Sequence, residues 1–166
     1  MAKGPKKKDK AKDGRTVVAT NRRARYDYDV LESLECGIAL RGGEVKSLRE
    51  ATAKIADAYA FFRGSELWLK GVHISPYAFA HGYDRHEPDR ERKLLLHRHQ
   101  LDAWRDRTER EQLTLIPLSL YFKDGKAKAE IALVRGRRAH DKRQVVAKRD
   151  AEREIDRTLA AARRGD

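Results

Sequence analysis

The chain is poor in the residues that anchor, cross-link or catalyse. Cys36 is the one cysteine among 166 residues, so the fold has to rest on a packed core; a lone thiol also fits a reducing compartment. No apolar run approaches the length of a membrane span. The opening Met1-Ala2-Lys3-Gly4-Pro5 runs into lysines rather than the apolar stretch of a secretory signal, and a soluble, cytoplasmic protein is expected. There is no Gly-x-Ser-x-Gly elbow, phosphate-cradling glycine loop, dinucleotide fingerprint or Cys-rich metal spacing. His97 and His99 would point to different sides of a helix and cannot chelate one ion together. His81, Asp84, His86, Glu87, Asp89 and Glu91 could hold a divalent ion in a nuclease. Arg85, Arg90, Arg92 and Lys93 are threaded through that cluster and argue instead for a charge-paired loop. No catalytic residue, metal or cofactor is expected.

What the chain does have is positive charge, a formal +12, gathered at its two ends. Residues 1–25 carry ten Lys/Arg against two Asp, and residues 135–166 carry eleven against six acids. The stretch 26–134 holds seventeen bases and eighteen acids, close to neutral. A near-neutral body between basic extensions suits a folded domain that lays arms along a polyanion, because attraction to phosphates is long-ranged and blind to sequence. The N-terminal stretch lacks the bulky apolar face of a membrane-surface helix, so nucleic acid is favoured over an acidic membrane.

Residues 1–20 read as a disordered basic arm. From Tyr26 to Leu40 apolar residues fall on alternate positions, with Glu32 the one polar break, which predicts a long half-buried strand. Glu44–Arg49 offers a single helical turn. Residues 58–62 and 67–74 flank Gly64-Ser65 as a hairpin. Residues 88–110, opening on Pro88, predict a helix in one or two pieces. Leu113–Phe122 is apolar at nearly every position and should be buried on both faces, with an edge or bulge at Pro117. Asp124-Gly125 then turns the chain into a second strand over 127–134. The expected fold is mainly β with α: a small antiparallel barrel of the oligonucleotide-binding type over 21–134, with one to three short helices. Residues 135–166 form a basic tail with a thin apolar stripe, expected to be disordered when free and helical once its charges are neutralised.

Basic residues beside hydrogen-bonding ones mark the candidate contacts. Asn21-Arg22-Arg23-Ala24-Arg25 stands where the arm meets the barrel. Lys46, Ser47 and Arg49 offer donors suited to phosphate, and Arg92-Lys93 opens the predicted helix. In Arg135-Gly136-Arg137-Arg138-Ala139-His140-Asp141-Lys142-Arg143 a glycine hinge between arginines leads to an imidazole that can stack on a base.

These segments, with Gly43-Glu44-Val45-Lys46-Ser47-Leu48-Arg49, His86-Glu87-Pro88, Arg92 to His97 and Pro117 to Phe122, resemble the successive motifs of the SmpB family, the SsrA-binding proteins, in the expected order over roughly residues 21–145. The resemblance implies a barrel that binds the tRNA-like domain of transfer-messenger RNA and carries it to stalled bacterial ribosomes. It implies contact with small-subunit RNA, and with elongation factor Tu through the aminoacylated RNA; a monomer is expected. It also implies that Glu35 lies at the RNA elbow, accepting from base amino groups or orienting basic neighbours. The tail from Arg135 to Arg143 and beyond would enter the vacant decoding centre and mRNA channel, with His140 stacking on a ribosomal base. Arginines replace the family's usual lysines around Gly136, which favours planar contacts. His140 stands where many members have tyrosine, and Ala151 where some carry a large aromatic. Two other readings fit the residues: a ribosomal protein, and a metal-dependent nuclease using the carboxylates of 81–91.

Overall fold

The computed structural model describes residues 14–163 except 51, 52, 83 and 84, and the side chains of 139 and 140. The strand pair that organises it is the one with the clearest sequence signal. β8 (Thr114–Lys123) turns through Asp124 and Gly125 into β9 (Lys126–Gly136). Both turn residues have positive φ, 51° and 76°, the geometry whose twist matches paired strands and that Asp-Gly adopts at low cost.

Around this hairpin the strands close on themselves. β4 (Tyr59–Arg63) pairs with β5 (Glu66–Lys70), β5 with β7 (Arg92–Leu95), β7 with β2 (Tyr28–Ile38), and β2 with β9. β8 divides its second edge between β4, at Leu115, and β1 (Arg15–Thr20), from Ser119 to Lys123. A closed antiparallel ring leaves little open edge for other chains to pair with. β3 (Ala53–Lys54) and β6 (His73–Ile74) form a separate short pair. The expected small barrel is therefore what the chain builds.

The interior is lined by Leu67, Leu69, Leu94, Leu115, Ile131 and Leu133, all buried. A smaller apolar cluster on the outer side joins Ile116, Leu118, Ala132 and Val134 to Ala24 of α1 (Ala24–Asp27). β8 is thus buried on both faces, as its composition predicts. The bulge expected at Pro117 is present, between Pro117 and Ser119.

Four boundaries differ from the sequence reading. The arm 1–20 is not all arm: residues 15–20 are strand β1 on β8, while residues 1–13 lie outside the described part. The long strand begins at Tyr28, after the α1 turn, and is bulged between Val30 and Glu32. A bulge inserts one residue and swaps the faces. Tyr28 and Val30 therefore pack on the outer cluster, while Leu34, Cys36 and Ile38 pack inside. Glu32 sits at that crossover and accepts hydrogen bonds from Trp104 Nε1 (3.3 Å) and Arg107 (2.6 Å). The single turn at 44–49 is an eight-residue helix, α2 (Gly42–Arg49). The helix over 88–110 is instead strand β7 followed by α3 (Arg98–Glu111), whose Trp104 is buried against the barrel. His97 caps α3, and its ring stacks on His99 at 5.7 Å. The last element, α4 (Ala139–Ala162), is almost wholly exposed.

Candidate nucleic-acid surface

Three of the expected contact residues are occupied in holding the fold. Arg92 is fully buried, on the inward side of β7, and is not at the start of a helix. Its Nε donates to Glu44 Oε1 at 2.9 Å, and its terminal nitrogens donate to the carbonyls of Val72, Arg90 and Pro88 at 2.8–3.0 Å. Glu44, equally buried, also accepts from Arg90 (2.5 Å) and from the Arg41 backbone N–H (2.7 Å). Burial raises the Glu44 pKa, but the Arg90 guanidinium, the Arg41 N–H and Arg92 outweigh it and hold the carboxyl below its usual value. This closed charge network removes Arg92 from the RNA-facing set. Asn21 is buried as well: its Nδ2 donates to the Pro117 carbonyl at 3.3 Å and its Oδ1 accepts from the Ala24 N–H at 3.2 Å. Ser47 is buried, donating to the Ser75 carbonyl at 2.5 Å. Lys93 faces outward on β7 and pairs with Glu66 at 2.5 Å.

The remaining cations stay at the surface. Arg22, Arg23 and Arg25 are exposed beside α1. Lys46 and Arg49, three residues apart on α2, are exposed; the Lys46 ammonium lies over the Tyr77 ring and the Arg49 guanidinium over Phe122. Glu35 is not free. It accepts from the Tyr121 hydroxyl at 2.5 Å and lies 3.4 Å from Lys123 Nζ and 3.7 Å from Arg15. Arg15 in turn covers the Tyr121 ring, 4.8 Å from its centroid. The Tyr121 hydrogen bond, with the nearby Lys123 and Arg15, lowers the Glu35 pKa, so the carboxylate stays charged and fixes two cations. Because Lys123 pairs with Arg15 and adjoins Phe122, the cations Arg15, Lys123 and Arg49 converge at the turn end of the β8–β9 hairpin.

Arg15, Tyr121 and Lys123 escaped the sequence reading. The lysines that flank Asp124-Gly125 were the available signal. Arg15 carried none, because its place is set by pairing with a strand about a hundred residues away.

The tail departs from the barrel at the α1 end. Gly136 is the last residue of β9, paired with Tyr28; a Cβ there would meet nothing within 4 Å, and nothing in the structure explains the glycine. The Arg137 N–H donates to the Asp27 carbonyl (3.2 Å) and its guanidinium reaches Asp29 (3.5 Å). Lys142 pairs with Asp27 at 3.4 Å and lies over Tyr26. Arg135 sits 3.7 Å from Glu111. Arg138, Asp141 and Arg143 are exposed, and the side chain of His140 lies outside the described residues. Within the polar loop, His73 pairs with Asp89 (2.8 Å), while His86 is buried against the Ile74 carbonyl (2.9 Å). Asp84 lies outside the described residues. Among the described residues no group of three or more His, Cys, Asp or Glu could hold a metal, and no helix is long and apolar enough to cross a membrane.

Comparison with known proteins identifies the family. Residues 18–161 match the family described as SmpB protein. An SsrA-binding protein of Mycobacteroides abscessus is 54% identical over 157 residues, covering 94% of this chain and 98% of the relative. The SsrA-binding protein of Mycobacterium leprae is 49% identical over 166 residues, 99% of each. A solved chain described as "tmRNA-SmpB: a journey to the center of the bacterial ribosome" superposes with a TM-score of 0.60 at 45% identity, covering 73% of this chain and 85% of the other. A family model matched over residues 18–161 and near full-length relatives about half identical lead to one conclusion: the chain belongs to the SmpB family.

Proposed function

We propose that the chain is a non-catalytic adaptor that binds the tRNA-like domain of transfer-messenger RNA and brings it to stalled ribosomes for trans-translation. The observation that carries the proposal is near full-length identity of about half to SsrA-binding proteins. The geometry supports a division of labour. The barrel docks the RNA through Arg22, Arg23, Arg25, Lys46, Arg49, Arg15 and Lys123, cations placed to meet phosphates. Glu35 acts as a positioning residue: it is repelled by phosphate itself, but it holds Arg15 and Lys123 at fixed places. Glu35→Ala is expected to weaken RNA binding although it raises the net positive charge.

The tail, residues 135–166, contributes little to docking. It reaches the small-subunit RNA of the decoding centre and mRNA channel, through Arg137, Arg138, His140, Lys142 and Arg143. Elongation factor Tu joins through the aminoacylated RNA rather than through the protein. The adaptor works as a monomer in the cytoplasm. Binding of the tRNA-like RNA should be salt-sensitive and should survive deletion of 139–166, whereas tagging of stalled peptides should be lost. RNA binding that disappears with the tail would overturn this division. Sequencing of RNA co-purified with the intact chain should return transfer-messenger RNA as the dominant species.

A further inference from the structure

The largest apolar exposure among the described residues is Phe79, 73% accessible. Single exposed apolar residues are ordinary, but this one is mounted. The segment carrying it is tied to α2, where the Ser47 hydroxyl donates to the Ser75 carbonyl at 2.5 Å. The Ala80 N–H then turns back to the Tyr77 carbonyl at 3.0 Å, and Ala80 is buried. Within that turn the Phe79 and Tyr77 rings form a T-shaped pair, with centroids 5.6 Å apart and planes at 65°. The other neighbour of Tyr77 is the Lys46 ammonium, 5.8 Å from its centroid. Lys46 and Arg49 lie on one side of α2, and Arg49 leads through Phe122 to Lys123 and Arg15 at the hairpin. The basic strip therefore ends in an apolar ring that touches Tyr77 in a T-shaped contact and is otherwise mostly open to solvent.

We propose that Phe79 is a stacking platform for an unpaired base of the tRNA-like RNA, adjoining the phosphates that Lys46 and Arg49 hold. The inference rests on the RNA-docking role given above and adds a contact of another kind. Cations fix a backbone wherever it runs, whereas a free aromatic face accepts a base only where the strand is unpaired. Charge decides the class of occupant. Among the described residues, the exposed side chains of α2, its two caps and the loop after Phe79 are Arg41, Lys46, Arg49, His81 and Arg85 against Glu50, Glu87 and Asp89; Asp89 is paired with His73, which leaves a surround suited to a nucleotide's phosphate.

The test uses the full chain and the isolated tRNA-like RNA, with affinity measured across a salt series. Phe79→Ala should weaken binding about five- to a hundredfold, the range found when a stacked base loses its aromatic partner. The slope of log affinity against log salt should stay unchanged, because no charge is removed. Lys46→Ala should lower that slope by about one unit. Phe79→Trp should bind like the wild type, with tryptophan emission quenched on adding RNA. If the wild type binds with a steep salt slope and Phe79→Ala binds equally well, the platform is wrong while the docking role stands. If the wild type itself does not bind, the docking role fails. Unchanged RNA affinity combined with lost ribosome association would place the partner of Phe79 on the ribosome and overturn the assignment.

Discussion

Arg92 and Arg143 both stand in basic runs beside hydrogen-bonding neighbours, and both are candidate contacts from the sequence. In the barrel Arg92 has no exposed surface, and its donors reach one carboxylate and three backbone carbonyls. On α4 Arg143 is open to solvent, on a helix whose apolar residues Ile155 and Leu159 are more than half exposed. A charge sealed inside the barrel is committed to the fold; an exposed one such as Arg143 is available to a partner. The measurement that would separate the two regions most widely is amide exchange. Strands β8 and β9 should open only with global unfolding, while α4, with little burial to offset the entropy of ordering, should exchange faster by several orders of magnitude. Bound RNA of the decoding-centre type should slow exchange in α4 alone. Protection of free α4 equal to that of the barrel would erase the contrast.

The next effect is energetic. Arg92→Met strands Glu44 in the interior with fewer partners, and breaking one side of a buried pair costs about 3–5 kcal/mol. The urea midpoint should fall accordingly, with RNA affinity of the remaining folded protein unchanged. Replacing both partners, Glu44→Met with Arg92→Met, should recover much of the loss. Arg143→Met should shift the midpoint by less than about 0.5 kcal/mol, as exposed substitutions do. If Arg92→Met kept its stability but lost RNA binding, the buried arginine would be a ligand after all.

The same network sets a pH response. Glu44 has a folded pKa held below its unfolded value, so its contribution is fully present above the ordinary carboxylate range near pH 4 and fades as pH falls through the depressed folded value. Acid titration of the wild type should show this loss below about pH 4, and the double methionine variant should lack that component. Glu35 is lowered in the same direction, but it is partly exposed and solvent screening reduces its share.

The features legible in the sequence were those written locally. The apolar run of β8 and the Asp-Gly turn each lie within a few adjacent residues and came through with their roles intact. What escaped was set by distant partners. A bulge swaps the faces of β2 without changing its alternation, so Tyr28 and Cys36 looked like neighbours on one face. The Leu94-Leu95-Leu96 run fits a helix as well as a strand, and β7 becomes a strand because β2 and β5 offer it edges on both sides. Arg92 looked like surface because Glu44 is 48 residues away. The candidate site divided in the same manner. The exposed cations of α1 and α2 were readable, while Arg15, Tyr121 and Lys123 become a group only once β1 is laid on β8.

The smallest effect tests the seam between the two regions. Asp27 pairs with Lys142 at 3.4 Å and with Arg23 at 3.7 Å, and these partly exposed contacts tie the first turn of α4 to α1. Such pairs contribute about 0–1 kcal/mol, so Asp27→Asn should leave the urea midpoint nearly unchanged. It should also loosen the tail root, seen as faster exchange of amides 142–145, and free two cations for phosphate, raising RNA affinity by a few-fold at low salt. The gain should vanish at high salt, where screening silences it. A fall in affinity would instead make Asp27 an acceptor for the RNA, working beside the α1 arginines rather than restraining them.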